Sequence, residues 1–241
     1  MGLFSSILHI YQRKQEEVVI GLTNELQQNF NISDFQRIEF GDITFQKMLD
    51  ESENVPNGIC YLITQPHGNW ISIVEVNVNL TDPFYLYSLA NGLSGRLNTY
   101  ALSFHLHDSD VLYYNLEKEG ISLDGYNSDY QYFLDAPADK NEILSQRHSP
   151  QHFKNILPPL KNVDQLNTIL NEGYWDAFDK GDLDEDGVPN DEKYTIDEED
   201  RFERVGKYLE IFSNTEYPFA NWYHHFSKLN LRDSYLLKGE I

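Results

Sequence analysis

Residues 58–116 constrain the fold more than any other stretch, because the period of their apolar residues changes twice. Gly58 to Gln65 is a continuous apolar, β-prone run, and Pro66-His67-Gly68-Asn69 has turn chemistry. Trp70 to Leu80 then alternates, with Val74, Val76, Val78 and Leu80 on one side and Glu75, Asn77 and Asn79 on the other. Period-two alternation marks a half-buried strand, so residues 58–80 predict a β-hairpin. Thr81-Asp82-Pro83 opens a helix, since proline suits a first turn that has no use for its N–H. Leu86, Leu89, Ala90, Leu93 and Leu97 are its apolar stripe. In a second hairpin Leu102, Phe104 and Leu106 point inward, and Ser103, His105 and His107 outward. Asp108-Ser109-Asp110 turns the chain, and Leu112, Tyr114 and Leu116 continue the inward row. The order is ββαββ, with a further short strand near 121–126. The expected fold is α+β: an antiparallel sheet built from two hairpins, with helices on one face.

The flanks are read the same way. Ile7, Tyr11, Val18, Leu22, Leu26 and Phe30 predict one or two amphipathic helices over 4–30. Phe35 to Phe45 predicts a short strand with a turn at Gly41-Asp42. Residues 1–134 form the expected α+β domain. Residues 135–162, with Pro137, Pro150, Pro158 and Pro159, read as a connector carrying short helices. Residues 163–241 are expected to be mostly helical and packed on the first domain. Val163 to Phe178 is periodic, and a helix over 196–213 has the stripe Phe202, Val205, Leu209 and Phe212. Thr195-x-x-Glu198 makes a capping box at its start. The tail aromatics Tyr217, Phe219, Trp222, Tyr223 and Phe226 are expected to pack onto the body.

Charge narrows the partners. The 241 residues carry 18 basic and 39 acidic side chains, a net of −21. No basic run exists to displace counterions from nucleic acid, and anionic membranes are disfavoured for the same reason. No stretch approaches the ~18 apolar residues of a membrane span. One cysteine, Cys60, allows no intrachain disulfide, which suits a reducing, cytoplasmic setting. The first residues lack the basic region of a signal peptide, while Gly2 and Ser6 fit the short myristoylation pattern.

One motif has a mechanism. Asp182-Leu-Asp184-Glu-Asp186-Gly187 is D-x-D-x-D-G, in which alternate carboxylates can converge on a hard cation and glycine permits the bend. Val188 would add its carbonyl, and Asn190 would bind directly or through water. These residues are expected to hold Ca²⁺ as a structural clip. The loop resembles those of EF-hands, thrombospondin type 3 repeats and dockerins over about twelve residues. It departs from them at the twelfth position, where Lys193 replaces the bidentate glutamate and Glu192 is one residue early. Residues 172–203 hold fourteen acidic and three basic side chains, a crowding that a cation or a basic partner would offset.

Other constellations are weaker. His105-Leu-His107-Asp108-Ser-Asp110 resembles the H-x-H-x-D-H run of metallo-β-lactamase-like hydrolases, but the acidic spacing differs and the last histidine is absent. It would make His105, His107 and Asp110 the site of a metal-dependent hydrolase, helped by His67 if the two turns met. His148 and His152, and the pair His224-His225, read as surface histidines. Cys60 reads as a small hydrophobe. The run Leu93-Ser94, Ser103, Asp108 to Leu112, Gly120, Tyr126-Asn127-Ser128 and Tyr132-Phe133 resembles bacterial proteins of unassigned activity, some encoded near polymorphic toxins. That resemblance is to toxin-associated, immunity-like families without an assigned activity, and it transfers no site. The leading expectation is a non-enzymatic acidic protein that binds a basic protein partner. The alternatives are a calcium-binding structural or regulatory module, and the hydrolase.

Overall fold

The computed structural model describes residues 5–29, 32–39, 58–75, 83–132, 134, 138–211 and 233–240. Among the described residues, eight strands form one antiparallel sheet in the order β2-β8-β3-β4-β1-β5-β6-β7. They are β1 (Ser5–Tyr11), β2 (Ser33–Glu39), β3 (Gly58–Ile63), β4 (Trp70–Glu75), β5 (Tyr100–His107), β6 (Val111–Lys118), β7 (Ile121–Asn127) and β8 (Tyr235–Glu240). The chain divides into two compact units. One, the sheet unit, comprises Ser6–Ser103, Leu116–Ser122 and Glu210–Ile241; the other, the helical unit, comprises Met1–Ser5, Phe104–Asn115 and Leu123–Leu209. Among the described residues no helix is long and apolar enough to cross a membrane.

In the sheet unit both expected hairpin strands 58–63 and 70–75 form, closed by a bridge between His67 and Trp70. Residues 76–80, the outer part of the expected alternation, lie outside the described residues. The described part of β4 does not alternate. Trp70 to Val74 are all buried, so both faces of the strand are covered. The N-terminal expectation is corrected. Residues 5–11 are a strand, and only Gln15–Asn29 are helical (α1). Ile7, Leu8, His9 and Ile10 are each almost fully buried, so both faces of β1 are covered, Leu8 and Ile10 by the helices of the core. A strand covered on both faces shows no period two, and its apolar run reads equally well as a helix.

Helix α2 (Pro83–Leu97) begins at the expected proline and buries Leu86, Leu89, Ala90 and Leu93. It shares a core with Val18, Leu22 and Leu26 of α1 and with Leu8, Ile10, Tyr61, Ile63, Ile71 and Ile73 of the strands. Each leucine so buried contributes about 1.5–3 kcal/mol. The two helices approach closely at Gly92, where a Cβ would lie 1.9 Å from Glu25 Oε1. That space lets the buried Glu25 carboxylate reach Arg96 at 3.1 Å.

Two strands differ from expectation. The strand expected over 35–45 is β2, at 33–39, and the turn at Gly41-Asp42 lies outside the described residues. The last described stretch is not helical. β8 inserts between β2 and β3, with Leu237 opposite both Arg37 and Tyr61. The tail aromatics from Tyr217 to Phe226 lie outside the described residues. The sheet therefore exceeds two hairpins, although the ββαββ segment stands as read and β7 fills the further strand near 121–126.

The helical unit contains α3 (Lys140–Ser145), a 3₁₀ turn at Pro150–Asn155, α4 (Val163–Asn171), α5 (Tyr174–Lys180), a second 3₁₀ turn at Glu192–Tyr194 and α6 (Glu198–Tyr208). Gly173, at φ +77°, breaks the expected helical run 163–178 into α4 and α5. Helix α6 is capped by Asp197, whose carboxylate accepts from the N–H groups of Glu199 and Asp200. The Thr195–Glu198 capping box is thus corrected: Glu198 is buried inside the first turn. Phe202, Val205 and Leu209 are buried as expected, and Phe212 lies outside the described residues. Phe104 packs edge-on against Phe202 and Tyr114 edge-on against Phe153, while Tyr114 stacks on Tyr126.

Candidate functional site

The D-x-D-x-D-G turn forms a small hairpin between α5 and the second 3₁₀ turn, with Leu183 bridged to Pro189. Gly187 adopts φ +79°, and a Cβ there would meet Gln131 Oε1 at 3.0 Å. We expect Gly187→Ala to cost about 1–2 kcal/mol from left-handed backbone alone, readable as a lowered urea midpoint. An unchanged midpoint would contradict this geometry.

The five residues expected to hold calcium are placed as follows. Asp184 Oδ1 accepts from the N–H groups of Asp186 and Val188, both at 2.9 Å. The Val188 carbonyl accepts from Asp184 N–H at 2.8 Å. Asp182 receives Asn190 Nδ2 at 3.5 Å and Lys193 Nζ at 3.3 Å. Tyr194 and then Lys193 hold the Asp182 carboxyl below its ordinary range. Asp186 is exposed. Among the described residues, no three His, Cys, Asp or Glu side chains are gathered so as to hold a metal ion.

The histidine constellation is corrected in part. His105 and Ser103 do not face outward: His105 is 4 % exposed and Ser103 is fully buried. His105 and His107 share a face, with ring centroids 6.2 Å apart. Asp110 accepts from the Tyr132 hydroxyl at 3.1 Å, and His67 belongs to the β3–β4 turn. Cys60 is fully buried, as a small hydrophobe would be. His148 is also corrected: it is buried between Tyr126 and Trp175. His224-His225 lie outside the described residues.

The sequence reading missed a buried polar network on α6. Arg201 is fully buried and Glu198 nearly so, with Arg201 Nη1 3.4 Å from Glu198 Oε1. Arg201 also donates to the Tyr126 hydroxyl and, at 2.6 Å, to the Glu172 carbonyl. Arg204 grips the Glu172 carboxylate with both terminal nitrogens, at 2.5 and 2.7 Å. Glu198 Oε2 and Arg201 Nε have no hydrogen-bond partner among the described residues. Burial raises the Glu198 carboxyl to about 7, against the pull of Arg201 and Ser128. Burial likewise raises Asp129 and Asp124; Asp124 accepts from the Tyr114 hydroxyl at 2.7 Å and from Ser149 N–H at 2.6 Å. A signal was present. Glu198, Arg201, Phe202, Val205 and Leu209 fall on one helical stripe, so the first two had to be buried with the rest. The network ties α4, α6 and β7 together; Arg201, Glu198 and Tyr126 are closed off from solvent, whereas the Arg204–Glu172 pair is about one-third exposed.

The exposed chemistry lies nearby within the same unit. Gln131 touches the Gly187 turn and accepts from Ala138 N–H at 3.2 Å, so Gln131 links Ala138 to the 182–191 loop. Tyr132 ties the 108–110 turn to this segment, and Ser109 donates to Glu199 at the start of α6. Asp110, Asp139, Asp184, Glu185 and Asp186 are exposed around this face. So are Tyr132, Leu134 and Val188, at 41, 38 and 48 %. Compared with known protein families, with curated proteins and with solved structures, the chain shows no match.

Proposed function

We propose that this chain is a non-enzymatic binding protein whose acidic face holds a basic protein partner, in the manner of an immunity protein. The observation that carries the reading is the union of exposed carboxylates and exposed apolar side chains around Gln131. Like charges gathered at Asp184, Glu185, Asp186 and Asp139 raise the local concentration of a cationic partner and speed its arrival. Tyr132, Leu134 and Val188 supply the apolar contact that charge alone lacks, tyrosine being a favoured interface residue.

The test uses the whole protein as bait against extract of its native host at low and high salt. The expected capture is a basic protein that salt releases. Reversing Asp184, Glu185 and Asp186 to lysine should cut retention at least about tenfold, since steering and complementarity both change sign. An equal charge change at the exposed Glu119, Asp164 and Glu210 should leave most of it. Equal losses in the two triple variants, or capture indifferent to salt, would refute the reading.

The hydrolase alternative rests on the shared face of His105 and His107. It is the weaker reading, because Asp110 is engaged by Tyr132 and His105 is buried. The calcium-module alternative rests on the 182–193 spacing.

A further inference from the structure

The 182–193 turn has the spacing of a calcium loop and a different wiring. Carboxylates at alternate positions of a tight turn repel one another unless a cation lies among them. In this chain the twelfth position, Lys193, brings its own. Its ammonium lies 3.3 Å from Asp182 Oδ2 and 2.9 Å from Asp191 Oδ2. It also stands 4.5 Å from the centre of the buried Tyr194 ring, close enough for the ring face to attract it. Asp191 Oδ1 accepts from Lys193 N–H at 2.9 Å, so one residue is tied to this carboxylate through backbone and side chain. Asp184 meanwhile spends Oδ1 on two backbone donors of the turn. A second ammonium, Lys180, lies 5.5 Å from the Tyr194 ring and 2.6 Å from Asp176. A divalent ion brought to Asp182 would face Lys193 directly and Lys180 nearby.

We propose that Lys193 is the loop's own cation: its ammonium takes the place that calcium holds in loops of this pattern, so the turn closes without metal. The disagreement between spacing and donors then has a cause. Asp182 is neutralised from within, Asp184 serves the backbone, and Glu185 and Asp186 remain turned to solvent at any calcium level. The acidic face would be permanent, not gated by calcium. This inference concerns only the closing of the loop and holds whether or not a basic partner exists.

The experiment compares the full-length protein with Lys193→Glu and Lys193→Gln. The parent should give no heat on calcium titration, and the same Tm in ~1 mM Ca²⁺ as in chelator. Lys193→Glu places a carboxylate at the twelfth position and removes the competing charge. It should bind Ca²⁺ with a Kd of about 10⁻⁵–10⁻³ M and gain Tm when calcium is added. Lys193→Gln keeps the bulk and loses the charge, so the Asp184 and Asn190 amides should exchange hydrogen several-fold faster than in the parent. Calcium binding by the parent, indifference of Lys193→Glu to calcium, or unchanged amide protection in Lys193→Gln would each overturn the proposal.

Discussion

Arg201→Met should destabilise the protein by about 3–5 kcal/mol, the range for removing one partner of a buried ion pair. Arg201 is fully buried and holds three elements together. It reaches Glu198 on its own helix, Tyr126 on β7 and the Glu172 carbonyl at the end of α4. Methionine fills much of the volume, so the loss is chiefly electrostatic and hydrogen-bonded. It leaves the Tyr126 hydroxyl and the Glu172 carbonyl short of a donor, and the Glu198 carboxyl short of its cation. Each buried polar group so orphaned costs about 1–3 kcal/mol. The Glu198 carboxyl, already at about 7, should rise further, because Arg201 is the largest influence pulling it down. Glu198→Gln removes the charge and keeps an acceptor, so the double variant should be less destabilised than the two single losses summed. A coupling of about 1–3 kcal/mol is expected from a urea-denaturation cycle. A loss below about 1 kcal/mol for Arg201→Met would mean that the network is not what anchors α6.

The parts of this architecture that could be read from sequence are those whose cause is local. Helix α2 was legible because Pro83 and a stripe at helical spacing act within fifteen residues. The β3–β4 hairpin was legible because Pro66 to Asn69 can only turn. β1 was not, since Ile7, Leu8 and Ile10 are apolar for a non-local reason: both faces of the strand are buried, Leu8 and Ile10 in a core shared with residues as distant as Leu89 and Leu237. β8 was not, because its partners, β2 and β3, lie some 200 and 180 residues earlier in the chain. The same divide runs through the candidate site. The D-x-D-x-D-G spacing was visible, and so was Lys193 at the twelfth position, but only geometry shows the lysine gripping Asp182 and Asp191. His105 alternates with inward residues, which predicts a solvent face; covering of both faces of β5 overrides the alternation. Thr195 three residues before Glu198 has the spacing of a capping box, yet Asp197 lies closer to the free N–H groups and takes that role.

Acid should separate two buried groups that oppose each other in the helical unit. Burial lowers His148 from its ordinary 6.5 to about 4, with the Arg147 and Arg201 charges acting the same way and Asn167 against. The folded protein then refuses a proton that the unfolded chain takes at 6.5. The stability His148 contributes is present above pH 6.5 and lost as pH falls through 4. Glu198 runs the other way, from 4.5 up to about 7. Its contribution is full below pH 4.5 and lost as pH rises through 7. At about 1.4 kcal/mol per pH unit of displacement, each is worth about 3 kcal/mol. The windows nearly coincide, so in the parent they largely offset. His9 of the sheet unit, pushed by burial to about 3, adds a loss in the same sense as His148. Between pH 7.5 and 4.5, Glu198→Gln should therefore lose about 3 kcal/mol more than the parent, and His148→Phe about 3 kcal/mol less. Phenylalanine is the apt replacement, since the imidazole already packs edge-on to Tyr126 and Trp175. Other titrating groups are common to all three proteins and drop out of the comparison to first order. Urea-denaturation free energies across that pH range decide the matter, and three parallel profiles would mean that neither group titrates as its burial demands.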